Sequence, residues 1–213
     1  LRGLVAARLA RTHRVRDRRL VSPVIDGLWR HRLVAEARAL YRLDCAQAGE
    51  ADAPSDGLFL RADPRQPPTM LDWSFPSDGS VGVTVEARNG WRGRAVIVGS
   101  LAPVMTMFAR QPLALAPGWY RLTWRAHDNA GRPSTAVAAA LSCDADVHDW
   151  RKSRAVGADR FTATFSVPDT CPQQWLALGI AAGASDIAVG EIALATGHAP
   201  ATVSPAAAGA NGS

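Results

Sequence analysis

Phe161-Thr-Ala-Thr-Phe-Ser-Val167 decides the fold. Apolar side chains take every second position and hydroxyl residues fill the gaps. This is the two-residue period of a strand with one face in a core and the other in water. A helix would scatter the same apolar residues around its whole circumference. Upstream, Pro117-Gly118 turns the chain into Trp119-Tyr-Arg-Leu-Thr-Trp124, where Tyr120, Leu122 and Trp124 share one face and Trp119, Arg121 and Thr123 the other. Val81, Val83 and Val85 alternate with small or polar residues, Ala95 to Val98 is a compact apolar run, and Pro103 to Phe108 leads into Gln111 to Leu115. Asp128 to Pro133 reads as a turn before a strand over Ala136 to Cys143; Gln174 to Ile180 and Asp186 to Leu194 follow. Eight or nine short antiparallel strands, punctuated by Gly, Pro and Asp, predict a mainly β protein: a jelly-roll β-sandwich over 57–195. Its start is placed near Leu58 to Leu60, with Leu71 to Phe75 as an early strand.

Cys143 and Cys171 each stand at one end of an alternating segment, where a bridge would staple the sandwich. A disulfide there closes a loop of about 29 residues and contributes ~3.5 kcal/mol in the chain-entropy model. It points to a periplasmic or extracellular, envelope-associated location. Cys45 has no partner nearby in sequence and is expected to stay free. The three cysteines match no zinc spacing.

The chain has 213 residues and a formal net charge of +5. Lys152 is its only lysine, and seven arginines (Arg2, Arg8, Arg11, Arg14, Arg16, Arg18 and Arg19) lie within the first 20 positions. Such a run reads either as a solvated helix face or as a grip on phosphates or anionic lipid. Beyond Asp44 the charges are close to balanced, so nucleic acid is not the expected partner of the β domain. No apolar stretch is long enough to span a membrane. The first residue is Leu1, which suggests a processed or truncated start. Residues 1–50 read as a small helical element: Ser22-Pro23 looks like an N-cap followed by proline at the first helical position, and a turn is expected near His31-Arg32. Residues 51–56 read as a linker, and 196–213, rich in Ala, Gly, Pro and Ser, as a disordered tail.

Leu33-Val-Ala-Glu-Ala-Arg-Ala-Leu-Tyr41 resembles the second helix of a tetratricopeptide-type repeat, with Ala37 and Tyr41 at the positions that pack between helices. A single copy implies the end of an array, because solenoids need stacked neighbours. Asp72 to Phe75, Gln111 to Leu122, Phe165 to Cys171 and Asp186 to Leu194 together resemble a galactose-binding-like jelly roll. That fold is shared by many carbohydrate-binding modules and resembles the module that follows tetratricopeptide repeats in some proteobacterial proteins of uncharacterised role. The resemblance implies a non-catalytic binding module for carbohydrate or envelope polysaccharide. Asp186 and Glu191, the polar residues available on its last strand, stand in no recognisable metal spacing.

Sugars bind where C–H-rich pyranose faces stack on indoles and polar groups meet the hydroxyls. Trp73, Trp124 and Trp175 are spaced like core residues. Trp91 and Trp150 fall in loops, and Trp119 faces away from the core side of its strand. With Arg92, Asp146, His148 and Asp149, these three make the expected ligand site. Asp144, Asp146 and Asp149 lack the glycine and terminal glutamate of a calcium loop. No nucleophile elbow, phosphate loop, metalloprotease helix or deaminase pattern is present, and no cofactor motif. Two other readings compete: a protein-interaction module that caps a helical array, with partners bound through the helical element, and a jelly-roll hydrolase using carboxylates such as Asp72 and Asp186.

Overall fold

The computed structural model describes residues 18–44, 54–66, 68–76, 79–147 and 149–198. Two helices, α1 (Arg18–Arg30) and α2 (Val34–Asp44), precede nine strands. These are β1 (Val81–Ala87), β2 (Arg94–Ser100), β3 (Thr106–Leu113), β4 (Gly118–His127), β5 (Val137–Ser142), β6 (Arg154–Ala155), β7 (Arg160–Val167), β8 (Gln174–Ile180) and β9 (Ile187–Thr196). One sheet runs β1-β2-β9-β4-β7-β6 and the other β3-β8-β5, and every pairing is antiparallel. From β2 onward the chain crosses to the other sheet at each connection except β6 to β7. That alternation makes the sandwich a jelly roll.

The strand period sets the layers. Leu122, Trp124, Phe161, Phe165, Val96 and Val189 of the larger sheet meet Phe108, Leu113, Leu176, Leu178 and Ile180 of the smaller one in a single core. The alternation at Phe161–Val167 is realised as β7, paired residue for residue with β4 from Arg160 to Val167. The disulfide forms: Cys143, just past β5, is bonded to Cys171, just before β8, with the two Cα atoms 5.5 Å apart. Cys45 lies outside the described residues.

Several expectations change. The stretches around Leu58 to Leu60 and Leu71 to Phe75 form no strand; only Ser74 makes an isolated bridge, to Arg110. This segment plugs the sandwich instead. Phe59 is fully buried against Trp73, ring centroids 5.3 Å apart, and Asp56 caps the turn by accepting from the amides of Leu60, Arg61 and Ala62. Both Asp56 and Phe59 have positive φ, a bend that no strand tolerates. Pro103 to Leu115 yields one strand, β3, rather than two segments. Pro23 lies inside α1 rather than at its start, so the Arg19 carbonyl lacks its usual amide donor. The helix continues past it because Ile25 and Trp29 pack on Ala37, Leu40, Tyr41 and Leu71 in a second small core.

That second core fastens the hairpin to the sandwich. Arg38 Nη1 donates to the Ala114 carbonyl at 2.9 Å, and Gln173 Nε2 donates to that of Trp29 at 3.2 Å. Between them Tyr41 Oη donates to Asp72 Oδ1 at 2.7 Å and accepts from Arg61 Nη2 at 2.8 Å. Burial and the neighbouring Asp72 carboxylate push the Tyr41 phenol well above its ordinary range, so it stays neutral and acts purely as a hydrogen-bond link.

Candidate functional site

β4 presents Trp119, Arg121, Thr123, Arg125 and His127 to the outer face of the six-stranded sheet, because Tyr120, Leu122, Trp124 and Ala126 are buried beneath. On one side, β7 sets Ser166 beside Trp119, Thr164 beside Arg121 and Thr162 beside Thr123. On the other side, β9 sets Ala195 beside Arg121 and Ala193 beside Thr123. The face is therefore a row of aromatic and cationic groups between a hydroxyl row and a low alanine row.

Trp91 closes one end. Its indole lies over Gly190 of β9, where an added Cβ would come within 2.9 Å of Trp91 Cζ3. The Arg125 guanidinium stands 4.9 Å from the ring centroid, and His127 meets the ring edge-on at 5.4 Å. Beneath them β9 bulges: its register against β4 slips between Thr123 and Arg125, and Glu191 takes a φ of 50°. The bulge turns the Glu191 carboxylate outward. There it accepts from Arg125 at 3.2 Å, from Arg160 at 2.5 Å and from the Arg92 amide at 3.2 Å. Asp159 binds Arg125 and, at 3.0 Å, His127.

Burial alone would raise the carboxyls of Glu191 and Asp159. For Glu191 the Arg92 amide, Arg125 and Arg160 outweigh it; for Asp159, Arg125 and His127 do. Both are held below the usual carboxylate range. Arg125 moves the opposite way: burial would weaken its charge, but Asp159 and Glu191 hold the proton more tightly. Glu191, Asp159 and Arg125 are thus held in their charged forms around Trp91.

Trp91 and Trp119 therefore belong to one sheet face, which Arg92 meets through its backbone amide on Glu191. Trp119 and Arg125, six positions apart on β4, stand roughly 20 Å from each other at about 3.4 Å per residue. Trp150, Asp146 and Asp149 do not join them. The segment carrying Trp150 pairs with the free edge of β5 through an Arg151–Ala139 bridge, and its indole lies over Gly179 of β8, on the outer face of the three-stranded sheet. His148 lies outside the described residues. Trp73 and Trp124 are core residues, at 3% and 0% exposure. Trp175 is not: the inward positions of β8 are Leu176, Leu178 and Ile180, so the alternation turns Trp175 outward, where Arg110 stacks on it at 5.0 Å.

Sequence reading missed Arg125, His127, Asp159 and Arg160. For Arg125 and His127 the signal was the outward parity of β4, which, carried past Trp124, sets both in line with Trp119. Among the described residues no group of three His, Cys, Asp or Glu side chains is placed to hold a metal ion, and no helix is long and apolar enough to cross a membrane. Asp144, Asp146 and Asp149 are exposed.

No protein-family model matches the chain, and no curated protein sequence matches it. Solved structures with a similar course include a family 4 carbohydrate-binding module, at 17% identity and a TM-score of 0.44, covering 68% of this chain and all of that one. The second xylan-binding CBM22 domain of Xyn10C from Paenibacillus barcinonensis is similar at 10% identity and a TM-score of 0.42, covering 59% of this chain and 91% of the other. A sugar-binding protein from Bacteroides thetaiotaomicron, assigned that role provisionally, is similar at 12% identity and a TM-score of 0.40, covering 63% and 92%. None of these likenesses bears on which side chains of this chain would meet a ligand.

Proposed function

We propose that this protein is a non-catalytic, exported polysaccharide-binding module that receives its ligand along the outer face of the six-stranded sheet. One observation carries the reading. Trp91 and Trp119, both half-buried, stand at opposite ends of the solvent-facing stripe of β4, with Arg121, Thr123 and Thr164 between them and Ser166 beside Trp119. Indoles at the two ends supply stacking surfaces for pyranose rings, and the groups between supply donors and acceptors for hydroxyls. The alanines of β9 leave the floor low enough for an extended chain to lie across it. The disulfide supports an oxidising compartment.

The test is binding of the folded chain to a panel of polysaccharides, with Trp→Ala variants checked by thermal melting. Trp119→Ala is expected to weaken binding about tenfold or more, roughly 1.4 kcal/mol, and Trp91→Ala comparably, while Trp150→Ala leaves it unchanged. Loss of binding in Trp150→Ala alone would move the site to the other sheet. No binding to any glycan by the folded protein would reject the reading.

A second reading has one observation in its favour. Val24, Leu33 and Leu43 of the helical hairpin are 44%, 38% and 64% exposed, apolar surface suited to a protein neighbour such as a preceding helical repeat. Serine at Leu33 and Leu43 would abolish such an association without touching glycan binding.

A further inference from the structure

We infer that the polysaccharide taken by this face is acidic, a chain carrying uronate or similar anionic groups; this rests on the reading of the face as a glycan site. The charge inventory of the face divides in two. Arg125 and Arg160 are consumed by Asp159 and Glu191. The side chains of Arg92, Arg121 and Arg154 are exposed, and none of the three makes an ion pair among the described residues. Arg92 adjoins Trp91 in sequence. Arg121 follows Trp119 by two positions on the same strand face, about 7 Å along. Arg154 faces outward beside Thr162, on the strand next to β7.

The carboxylates are distributed differently. On the solvent-facing strand positions of this sheet, the one outside the ion-pair cluster is Glu86. It lies on the edge strand β1, three strands from β4. Each indole of the row therefore has an arginine without an ion pair close to it along the chain, and the carboxylates at the Trp91 end, Asp159 and Glu191, are already held by Arg125 and Arg160.

A guanidinium meets a carboxylate with two parallel N–H donors, a geometry that a neutral hydroxyl cannot match. A uronate ring resting on Trp119 would bring its carboxylate within reach of Arg121. The ion-paired cluster contributes indirectly: by satisfying its own carboxylates it keeps them from drawing in Arg92 or repelling an anionic ligand.

The experiment is isothermal titration of the full chain with polygalacturonate and alginate fragments, against galactan and xylan fragments of equal length. Polyglutamate serves as an anion without sugar rings. Uronate fragments are expected to bind at least about tenfold more tightly than neutral ones, with the gap narrowing as salt rises. Arg92→Ala and Arg121→Ala should each weaken uronate binding about threefold and neutral binding less, so that the preference for uronate narrows. Equal affinity for neutral and acidic fragments would overturn the inference and leave the glycan reading standing. Binding of neither would overturn both. Polyglutamate binding as tight as uronate binding, and indifferent to Trp119→Ala, would reduce the effect to general charge attraction and overturn the inference as well.

Discussion

Trp91 and Trp150 occupy the same kind of seat on opposite sides of the molecule. Each indole lies in a notch left by a glycine on an outer sheet face, Gly190 under Trp91 and Gly179 under Trp150. What secures them differs. Trp91 is pinned by an ion cluster and a ring contact: a guanidinium on its ring, two carboxylates holding that guanidinium, and a histidine ring at its edge. Trp150 is pinned by covalent and steric means. Its segment starts at the disulfide-bonded Cys143, returns to β5 through the Arg151 bridge, and lays the indole over the buried Gly179. An ion-pinned ring can be loosened by acid or by one substitution. A ring held by a bridge answers to reductant and to crowding beneath it. The two faces should therefore fail under different insults.

Glu191→Ala is expected to do the most damage at the Trp91 face, about 3 kcal/mol, the low end for a broken buried ion pair, because Arg125 keeps Asp159 and Arg160 is 44% exposed. Chemical denaturation should show that loss, and Trp91 fluorescence should report a loosened ring; a change under 1 kcal/mol would mean the network is decorative. Next comes the pair Cys143→Ser with Cys171→Ser, expected to cost ~3 kcal/mol and to speed hydrogen exchange across the 143–153 segment while the surroundings of Trp91 stay protected. Equal loosening of both faces would erase the distinction. Gly179→Ala places a methyl within 2.7 Å of the Trp150 ring, so the indole must lift; overpacking of this sort costs about 1–3 kcal/mol, read as a lower melting temperature and a more exposed Trp150 by quenching.

The smallest effect is with pH. The carboxyls of Glu191 and Asp159 are depressed in the folded protein, so their contribution is fully present above the ordinary carboxylate range, near about 4. It is lost as pH falls through the depressed folded values. Melting temperature should decline below about pH 5 in the native chain and decline less steeply in Glu191→Gln. A flat acid profile would remove the ion-pinned half of the comparison.

How much of this was legible depends on range. The strands β1, β4 and β7 were readable because each alternates over a short window, β2, β5, β8 and β9 because each is a short apolar run between turn residues, and the parity of β4 even assigned Trp119 to water. The cysteine bridge was readable from its place at strand ends. What lay beyond reach was the partner across the sheet. Nothing near Glu191 in sequence announces Arg125 or Arg160, 66 and 31 positions away, and the bulge that turns it outward is a property of two strands together. Trp175 misled for a related reason: its neighbours Leu176, Ala177 and Leu178 are all buried, so the run shows no parity until the Ala177 side of the sheet is seen to be roofed. The segment from Leu58 to Phe75 has strand-like composition, and only the capping geometry of Asp56 reveals that it serves as a plug.

The position of β9 has a consequence for how the molecule is made. The final strand lies between β2 and β4, so the larger sheet stays split until residues 187–196 have been synthesised and have reached back past most of the chain. Such late, distant pairing makes folding slow, and it leaves two bare strand edges waiting meanwhile. A polypeptide that cannot zip itself shut before its last strand emerges from the ribosome stays threadable until then.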